Sequence, residues 1–238
     1  MLNREEVTKK WYDVYYGKHG KNRNNLRRNK EVLFQNLALE VSVIRAFGYI
    51  NQDSKSALVL DVGCGNGVEI FQFVRLDFQI ENIYGIDLNN ERLEQGIKSF
   101  PQAKLTSGDA SNMPFEKNKF DIVFESTMFS TLPDDNLCQA ISNEMVRVCK
   151  HGGYLVLVDW RYKKPQNPNY NALNRKNLSR YFSIGTMTEL ITIQNGALIP
   201  PLGRFLSRRA PSLYFLIAKA FPLLVGQVVY VLKKIEKE

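Results

Sequence analysis

The ten residues LVLDVGCGNG, Leu58–Gly67, constrain this chain more than any other stretch. An apolar run, Ala57–Leu60, ends in Asp61 and then in glycines at positions 63, 65 and 67. Uninterrupted apolar residues describe a strand buried on both faces, the kind found inside parallel sheets. The glycines describe a tight turn into a helix, at a point where a side chain would hold a ligand away from the backbone. Strand, glycine turn and helix in that order place a ligand crevice at the carboxyl end of a strand in an open α/β sheet.

Spacing narrows the ligand. A dinucleotide fingerprint runs G-x-G-x-x-G, and Val68 stands where its third glycine belongs. Asp61 would repel a pyrophosphate but attract the ammonium and sulfonium of S-adenosylmethionine. Four further blocks follow. Tyr84–Leu88 (YGIDL) ends a strand at Asp87, about 20 residues past the glycine turn, where a carboxylate suits ribose hydroxyls. Ser107–Ser111 (SGDAS) puts Asp109 where it would accept from an adenine amino group. Phe120–Glu125 (FDIVFE) is a strand emptying into a polar loop, and Lys150–Asp159 (KHGGYLVLVD) is a turn feeding another buried strand.

Together these five blocks resemble the class I S-adenosylmethionine-dependent methyltransferases, in particular their type 11-like branch, most strongly over Ala57–Asp159. The resemblance implies an α/β, Rossmann-like fold: a seven-stranded, mostly parallel sheet flanked by helices, with an N-terminal helical lid and an antiparallel last strand at the edge. It implies S-adenosylmethionine as cofactor and S-adenosylhomocysteine as product. It assigns Asp61, Gly63 and Gly65 to the methionine end, Asp87 to the ribose, and Leu88 to packing on the adenine. Asp109 and Ala110 would read the adenine edge, and Glu125 would lie beside the methionine moiety unless it is simply a solvated strand-end acid. FESTMFSTLPDD, VDWRYKKPQNPN and LIPPLGRFL resemble a bacterial subgroup associated with surface-glycan biosynthesis. Many small-molecule members carry a histidine after the fourth strand; Ser130 and Thr131 stand there instead.

The acceptor side is less explicit. An alcohol loses its proton far above neutral pH, so O-methylation benefits from a general base. Asp159, at the carboxyl end of its strand, is one candidate; His19, in the basic loop Gly17–Asn29, is the other. Arg161, Tyr162, Asn167 and Asn169 are candidates for gripping a polar acceptor. The resulting reading is O-methylation of a sugar in a nucleotide-linked or lipid-linked glycan. Three alternatives accompany it. An RNA methyltransferase would suit the basic flanks, but no N/D-P-P-Y/F motif follows the fourth strand and no RNA-binding module is visible. A quinone or lipid-precursor methyltransferase would suit the apolar C-terminal region. A non-catalytic cofactor-binding protein is the alternative from outside the enzymes.

Charge is unevenly spread. Residues 1–30 carry nine Lys/Arg against three acids (+6), residues 31–162 eleven against eighteen (−7), and residues 163–238 twelve against three (+9). An acidic cofactor region between basic flanks favours an anionic acceptor or an acidic membrane surface, the plainer alternative being a solvated basic surface. Three cysteines without framework spacing point to a reducing cytosol. Two histidines and no matching cysteines leave no metal pattern. The N-terminus is too charged for a signal peptide, so a cytoplasmic protein is expected, with contact at the inner membrane face as an elaboration.

Residues 1–50 read as a helical cap or lid, with helices at Leu2–Tyr16 and Lys30–Phe47, and residues 51–238 as the methyltransferase domain, with 160–225 elaborating its acceptor side. In the second helix Leu33, Leu37, Val41 and Ile44 are spaced as one apolar face. Glu189–Ile199 reads as a strand, although Thr186 and Glu189 match a helix capping box. Ser212–Leu224 reads as an apolar helix and Gly226–Lys233 as the last strand. Lys219, Pro222 and Gly226 interrupt Leu213–Leu232 as a membrane span; an amphipathic surface helix, aided by Arg204, Arg208 and Arg209, is the alternative.

Overall fold

The apolar runs form the middle of a seven-stranded sheet in the computed structural model, which describes residues 26–132, 134–163 and 171–235. The expected helix at Leu2–Tyr16, together with His19, Asn167 and Asn169, lies outside the described residues. The strands are β1 (Val59–Val62), β2 (Ile83–Asp87), β3 (Lys104–Ser107), β4 (Phe120–Ser126), β5 (Cys149–Trp160), β6 (Thr188–Asn195) and β7 (Gln227–Lys234), in the order β3-β2-β1-β4-β5-β7-β6. β1 to β5 pair in parallel, and β7 runs antiparallel to both β5 and β6. The antiparallel strand is thus the last in sequence, as expected, but it sits one place in from the edge, with β6 outside it. Thr188–Asn195 is a strand, which settles the strand-or-helix alternative there.

The helices are α1 (Leu33–Phe47), α2 (Val68–Arg75), α3 (Asn90–Ser99), α4 (Asp135–Val148), α5 (Arg175–Tyr181), α6 (Pro200–Arg209) and α7 (Tyr214–Ala220). Asp134 caps α4 by accepting from Leu137 N at 2.8 Å. α6 has no counterpart among the expected elements. Pro200 and Pro201 look like breakers but occupy the first helical turn, where no N–H is needed. α7 is shorter than the expected helix: one-turn 3-10 segments at Pro211–Leu213 and Pro222–Leu224 flank it, because a proline cannot continue an α-helix. Among the described residues no helix is long and apolar enough to cross a membrane.

Strand alternation sorts the core into two layers. Leu60, Val62, Val123, Leu155 and Leu157 face one side, with Ile141 and Met145 of α4. Val59, Ile83, Ile122, Phe124, Val156 and Val158 face the other, with Val43, Ala46 and Phe47 of α1 and Ile70 and Phe73 of α2. The α1 face therefore departs from expectation. Leu37, Val41 and Ile44 are exposed, and Ala38, Ser42, Val43, Ala46 and Phe47 are buried. The buried face is turned about one position along the helix from the expected stripe, and α1 lies close over the sheet margin: a Cβ on Gly196 would come within 3.0 Å of Ser42 Oγ and 3.1 Å of Leu39 Cδ1.

Phe73 is fully buried, edge-on to Phe124 at 5.1 Å between ring centres, with Phe47 and Phe78 beside it. Phe73→Ala should cost roughly 3–5 kcal/mol, the usual range for deleting a buried aromatic. Denaturant unfolding should show a lower midpoint with unchanged m-value; an unshifted midpoint would remove this cluster as the anchor of α2.

Candidate functional site

In-register pairing brings the carboxyl ends of the central strands level. Val62 sits beside Ile86 and Glu125, Asp87 beside Ser107, and Ser126 beside Val158. Asp61, Asp87, Asp109, Glu125 and Asp159 therefore collect at one edge of the sheet. His151 lies at the amino end of β5, exposed and away from this edge, its Nδ1 3.3 Å from Ile235 O.

The glycine turn follows β1. Gly63, Gly65 and Gly67 have φ of +75°, +53° and +75°, left-handed values that a side chain would strain. Gly63 N donates to Ile86 O at 2.8 Å, tying the turn to β2. Gly65 N donates to Asp87 Oδ2 at 2.7 Å, and Asn89 N to Asp87 Oδ1 at 2.7 Å. One carboxylate thus braces both the glycine turn and the loop into α3, with Leu88 partly exposed beside it. Past β3, Asp109 Oδ1 accepts from Ser111 N at 2.8 Å and Ser111 Oγ at 2.7 Å, fixing the turn that contains Ala110.

Deeper in, the acids are short of partners. Asp61 is 1% exposed and its Oδ2 has no hydrogen bond; Glu125 is 0% exposed and its Oε1 has none. Glu125 Oε2 accepts from Met128 N at 3.0 Å. Burial first, then the charges of Glu69 and Asp87, raises the Asp61 carboxyl well above its ordinary range, against the pull of Arg92. Burial and the neighbouring charge of Asp159 do the same to Glu125. The two share a sheet face, since Glu125 pairs with Leu157 and Asp159 follows two residues on.

Asp159 is fully buried as well, but its oxygens are occupied. Oδ2 accepts from Ser130 N at 3.0 Å and Oδ1 from Trp160 N at 2.6 Å, and burial raises its pKa to about 6. It holds the 3-10 turn Phe129–Thr131 against the end of β5. The turn is entered through Thr127, a β-branched residue at φ +57°, a strained conformation often found at functional loops. Arg161 and Tyr162 are turned to backbone: Arg161 Nε donates to Val225 O at 2.7 Å, its Nη2 to Pro222 O, and Tyr162 Oη to Leu223 O at 2.6 Å. They clasp the corner between α7 and β7 rather than project into the crevice.

Glu69, Arg92 and Met128 join the expected residues. Glu69, in the first turn of α2, has its carboxyl raised by burial and hydrogen-bonded by Ser126. The guanidinium of Arg92 lies against Gly65, and Met128 Sδ would meet a Cβ on Gly63 at 3.3 Å. An acid in the helix turn straight after the glycines was the available signal for Glu69; Arg92 and Met128 had none. Cys64, inside the motif, is held as a neutral thiol by burial. Among the described residues no cluster of His, Cys, Asp and Glu is disposed for a metal ion.

A glycine turn with acids ending the next two parallel strands is a nucleoside-cofactor site at the carboxyl edge of a doubly wound sheet. The family model of the methyltransferase domain matches residues 53–195, and the chain belongs to that family. The family's methyl donor is S-adenosylmethionine, and the chemistry of the site is compatible with it: two buried carboxylate oxygens, Asp61 Oδ2 and Glu125 Oε1, have no hydrogen-bond partner, and the donor carries an ammonium and a sulfonium. The chain is 33% identical over 135 residues to the phthiotriol/phenolphthiotriol dimycocerosates methyltransferase 1 of Mycobacterium ulcerans, covering 52% of this chain and 48% of that protein. It is 32% identical over 108 residues to the demethylmenaquinone methyltransferase of Bacillus licheniformis, covering 44% and 45%. The chain thus spans about half the length of these curated relatives. The fold is shared with geranyl diphosphate C-methyltransferase from Streptomyces coelicolor A3(2), at TM-score 0.60, 15% identity, and 82% and 77% coverage.

A carboxyl whose folded pKa lies above its unfolded value holds its proton in the folded state. Between 3.8 and about 6, the window set by Asp159, stability of the unliganded protein should therefore fall as pH rises. Binding of a cation that needs Asp61 and Glu125 ionised should strengthen as pH rises through their raised titrations, by up to about tenfold per pH unit. Glu125→Gln should stabilise the unliganded fold at pH 8 and weaken S-adenosylmethionine binding. Thermal unfolding and calorimetry across pH 4–8 test both; affinity independent of pH would remove these carboxyls from the ligand's cationic end.

Proposed function

We propose that this chain methylates a small amphiphilic acceptor, a ring of the quinol type carried on an apolar tail. The observation that supports this most is the rim beside the site. Ile199–Leu224 contains no acid, exposes Phe221 and Leu223, and is fastened by Arg161 and Tyr162 to the segment leaving β5. An apolar chain fits such a rim better than a free sugar does. The Bacillus licheniformis relative is by name a demethylmenaquinone methyltransferase, and the Streptomyces coelicolor enzyme by title a geranyl diphosphate C-methyltransferase; both names agree with this acceptor class.

When bound, S-adenosylmethionine supplies a methyl group already activated on sulfur, so the protein's work is placement and exclusion of water. Asp61 and Glu125 receive the cationic methionine end, with Gly63 and Gly65 admitting it to the backbone. Asp87 has lone pairs left for ribose hydroxyls after accepting from Gly65 and Asn89. Leu88, Asp109 and Ala110 bound the adenine. Asp159 is a positioning residue, holding Phe129–Thr131 beneath the acceptor.

A second reading is O-methylation of a lipid-linked sugar. Arg204, Arg208 and Arg209 on the same rim favour it, because they would receive a phosphate. In that reading Asp159 serves as general base.

Two measurements test these roles. Asp87→Ala should weaken S-adenosylmethionine binding by roughly 1–3 kcal/mol, the value of charge-assisted hydrogen bonds, and unchanged affinity in calorimetry would sink the ribose assignment. Methyl-labelled donor should be incubated with a detergent-dispersed prenylated hydroquinone and, separately, with lipid-linked and nucleotide sugars. Ring-carbon labelling of the hydroquinone is expected, with Asp159→Asn slowing turnover but leaving the pH profile's acid limb in place. Labelling of sugar hydroxyls alone, abolished by Asp159→Asn, would replace the first reading with the second.

A further inference from the structure

We propose that the face formed by α6 and α7 docks on an anionic lipid bilayer and holds the carboxyl edge of the sheet against it. Ile199–Leu224 carries Arg204, Arg208, Arg209 and Lys219 and no Asp or Glu. Its outward side chains are large and apolar: Phe205 is 61% exposed, Leu216 61%, Phe221 59% and Leu223 79%. On α6, Gly203, Leu206 and Ser207 are buried, so Phe205, Arg208 and Arg209, three and four residues apart, share the outer face. α7 continues it after a single 3-10 turn, anchored inward by Tyr214 in the same core layer as Leu206.

An open groove of about 530 Å³ runs along α6, lined by Glu31, Arg204, Phe205, Arg208 and Arg209. Among the described residues that line it, Glu31 is the one acid, 3.4 Å from Arg208 through exposed side chains, a pair that contributes little. Guanidinium groups beside an exposed aromatic suit lipid phosphates above an acyl boundary, and interfacial helices combine apolar and Lys/Arg-rich faces in this way. Contiguous exposed apolar surface marks an interaction site. A second copy of the chain is the poorer partner: a two-fold contact of this face with itself would bring its arginines together, with no acids on the segment to offset them. An anionic bilayer complements both the charge and the apolar side chains.

The location gives docking a consequence. α7 and the turn Pro222–Leu224 run directly into Gln227, which pairs with Trp160 at the carboxyl end of β5. The docked face therefore borders the acceptor side of the site. This inference rests on the surface alone, so it stands or falls separately from the acceptor reading.

Flotation of the full chain with phosphatidylcholine vesicles, and with equimolar phosphatidylcholine and phosphatidylglycerol vesicles, tests it. Binding should require the anionic lipid and weaken with salt. Arg208→Glu/Arg209→Glu and Leu216→Asp/Leu223→Asp should each lower vesicle partitioning by about tenfold or more, without moving the thermal unfolding midpoint. Absence of flotation with the anionic vesicles, or equal flotation of folded variants, overturns the proposal. A lipid-free dimer in sedimentation equilibrium that Leu216→Asp/Leu223→Asp dissolves also overturns it, and gives the face to a second copy.

Discussion

The carboxylates buried at the ends of β1, β4 and β5 are the constraint around which the site is arranged. Asp61, Glu125 and Asp159 are at most 1% exposed, and their charges act on one another within a low-dielectric edge of the sheet. Removing such groups from water costs several kcal/mol each unless partners replace the lost hydration. Asp159 has its backbone donors, whereas Asp61 and Glu125 each keep an oxygen without one. A fold that retains these acids is less stable empty than an isosteric neutral version would be, and the deficit is largest where a cationic ligand would sit. Stability and ligand recognition oppose each other at the same atoms.

The surrounding architecture keeps that deficit in place. Parallel pairing levels the strand ends, and burial of β1, β4 and β5 on both faces holds their registers against slipping. Asp87 solves a different problem: by accepting from Gly65 and Asn89 it shapes two loops at once, so its orientation is set before any ribose arrives. The ring cluster around Phe73 fixes α2, and with it Glu69 and the helix end that follows Gly67.

Much of this was legible in the chain because it rests on local rules. Apolar runs ending in acids marked the strands and their carboxyl ends. Failures came where the decisive contact is distant in sequence. The stripe Leu37, Val41 and Ile44 looked like the buried face of α1, but the helix is set against the sheet by the neighbouring stripe Ala38, Ser42, Val43, Ala46 and Phe47, a rotation that only the distant strands decide. Pro200 and Pro201 concealed α6, since position within a helix decides whether a proline breaks or starts it. Arg161 and Tyr162 looked free for an acceptor until the α7–β7 corner supplied the carbonyls they bind. The partnered state of Asp159 depends on the Phe129–Thr131 turn folding back, which no spacing encodes.

Those same contacts join the two halves of the functional edge. Asp159 fastens the loop after β4, the next residues fasten α7 to β7, and Trp160 packs near Gly226, where a Cβ would come within 3.1 Å of its ring. The segment Asp159–Tyr162 is therefore bonded both to the loop after β4 and to the corner that ends the exposed α6–α7 face. Hydrogen bonds of 2.6–3.0 Å along this segment tie the Phe129–Thr131 turn, the end of β5 and the α7–β7 corner to one another. An acid-free, apolar rim thus stands directly beside a site whose own residues are acidic, the two joined by four consecutive residues of one strand end.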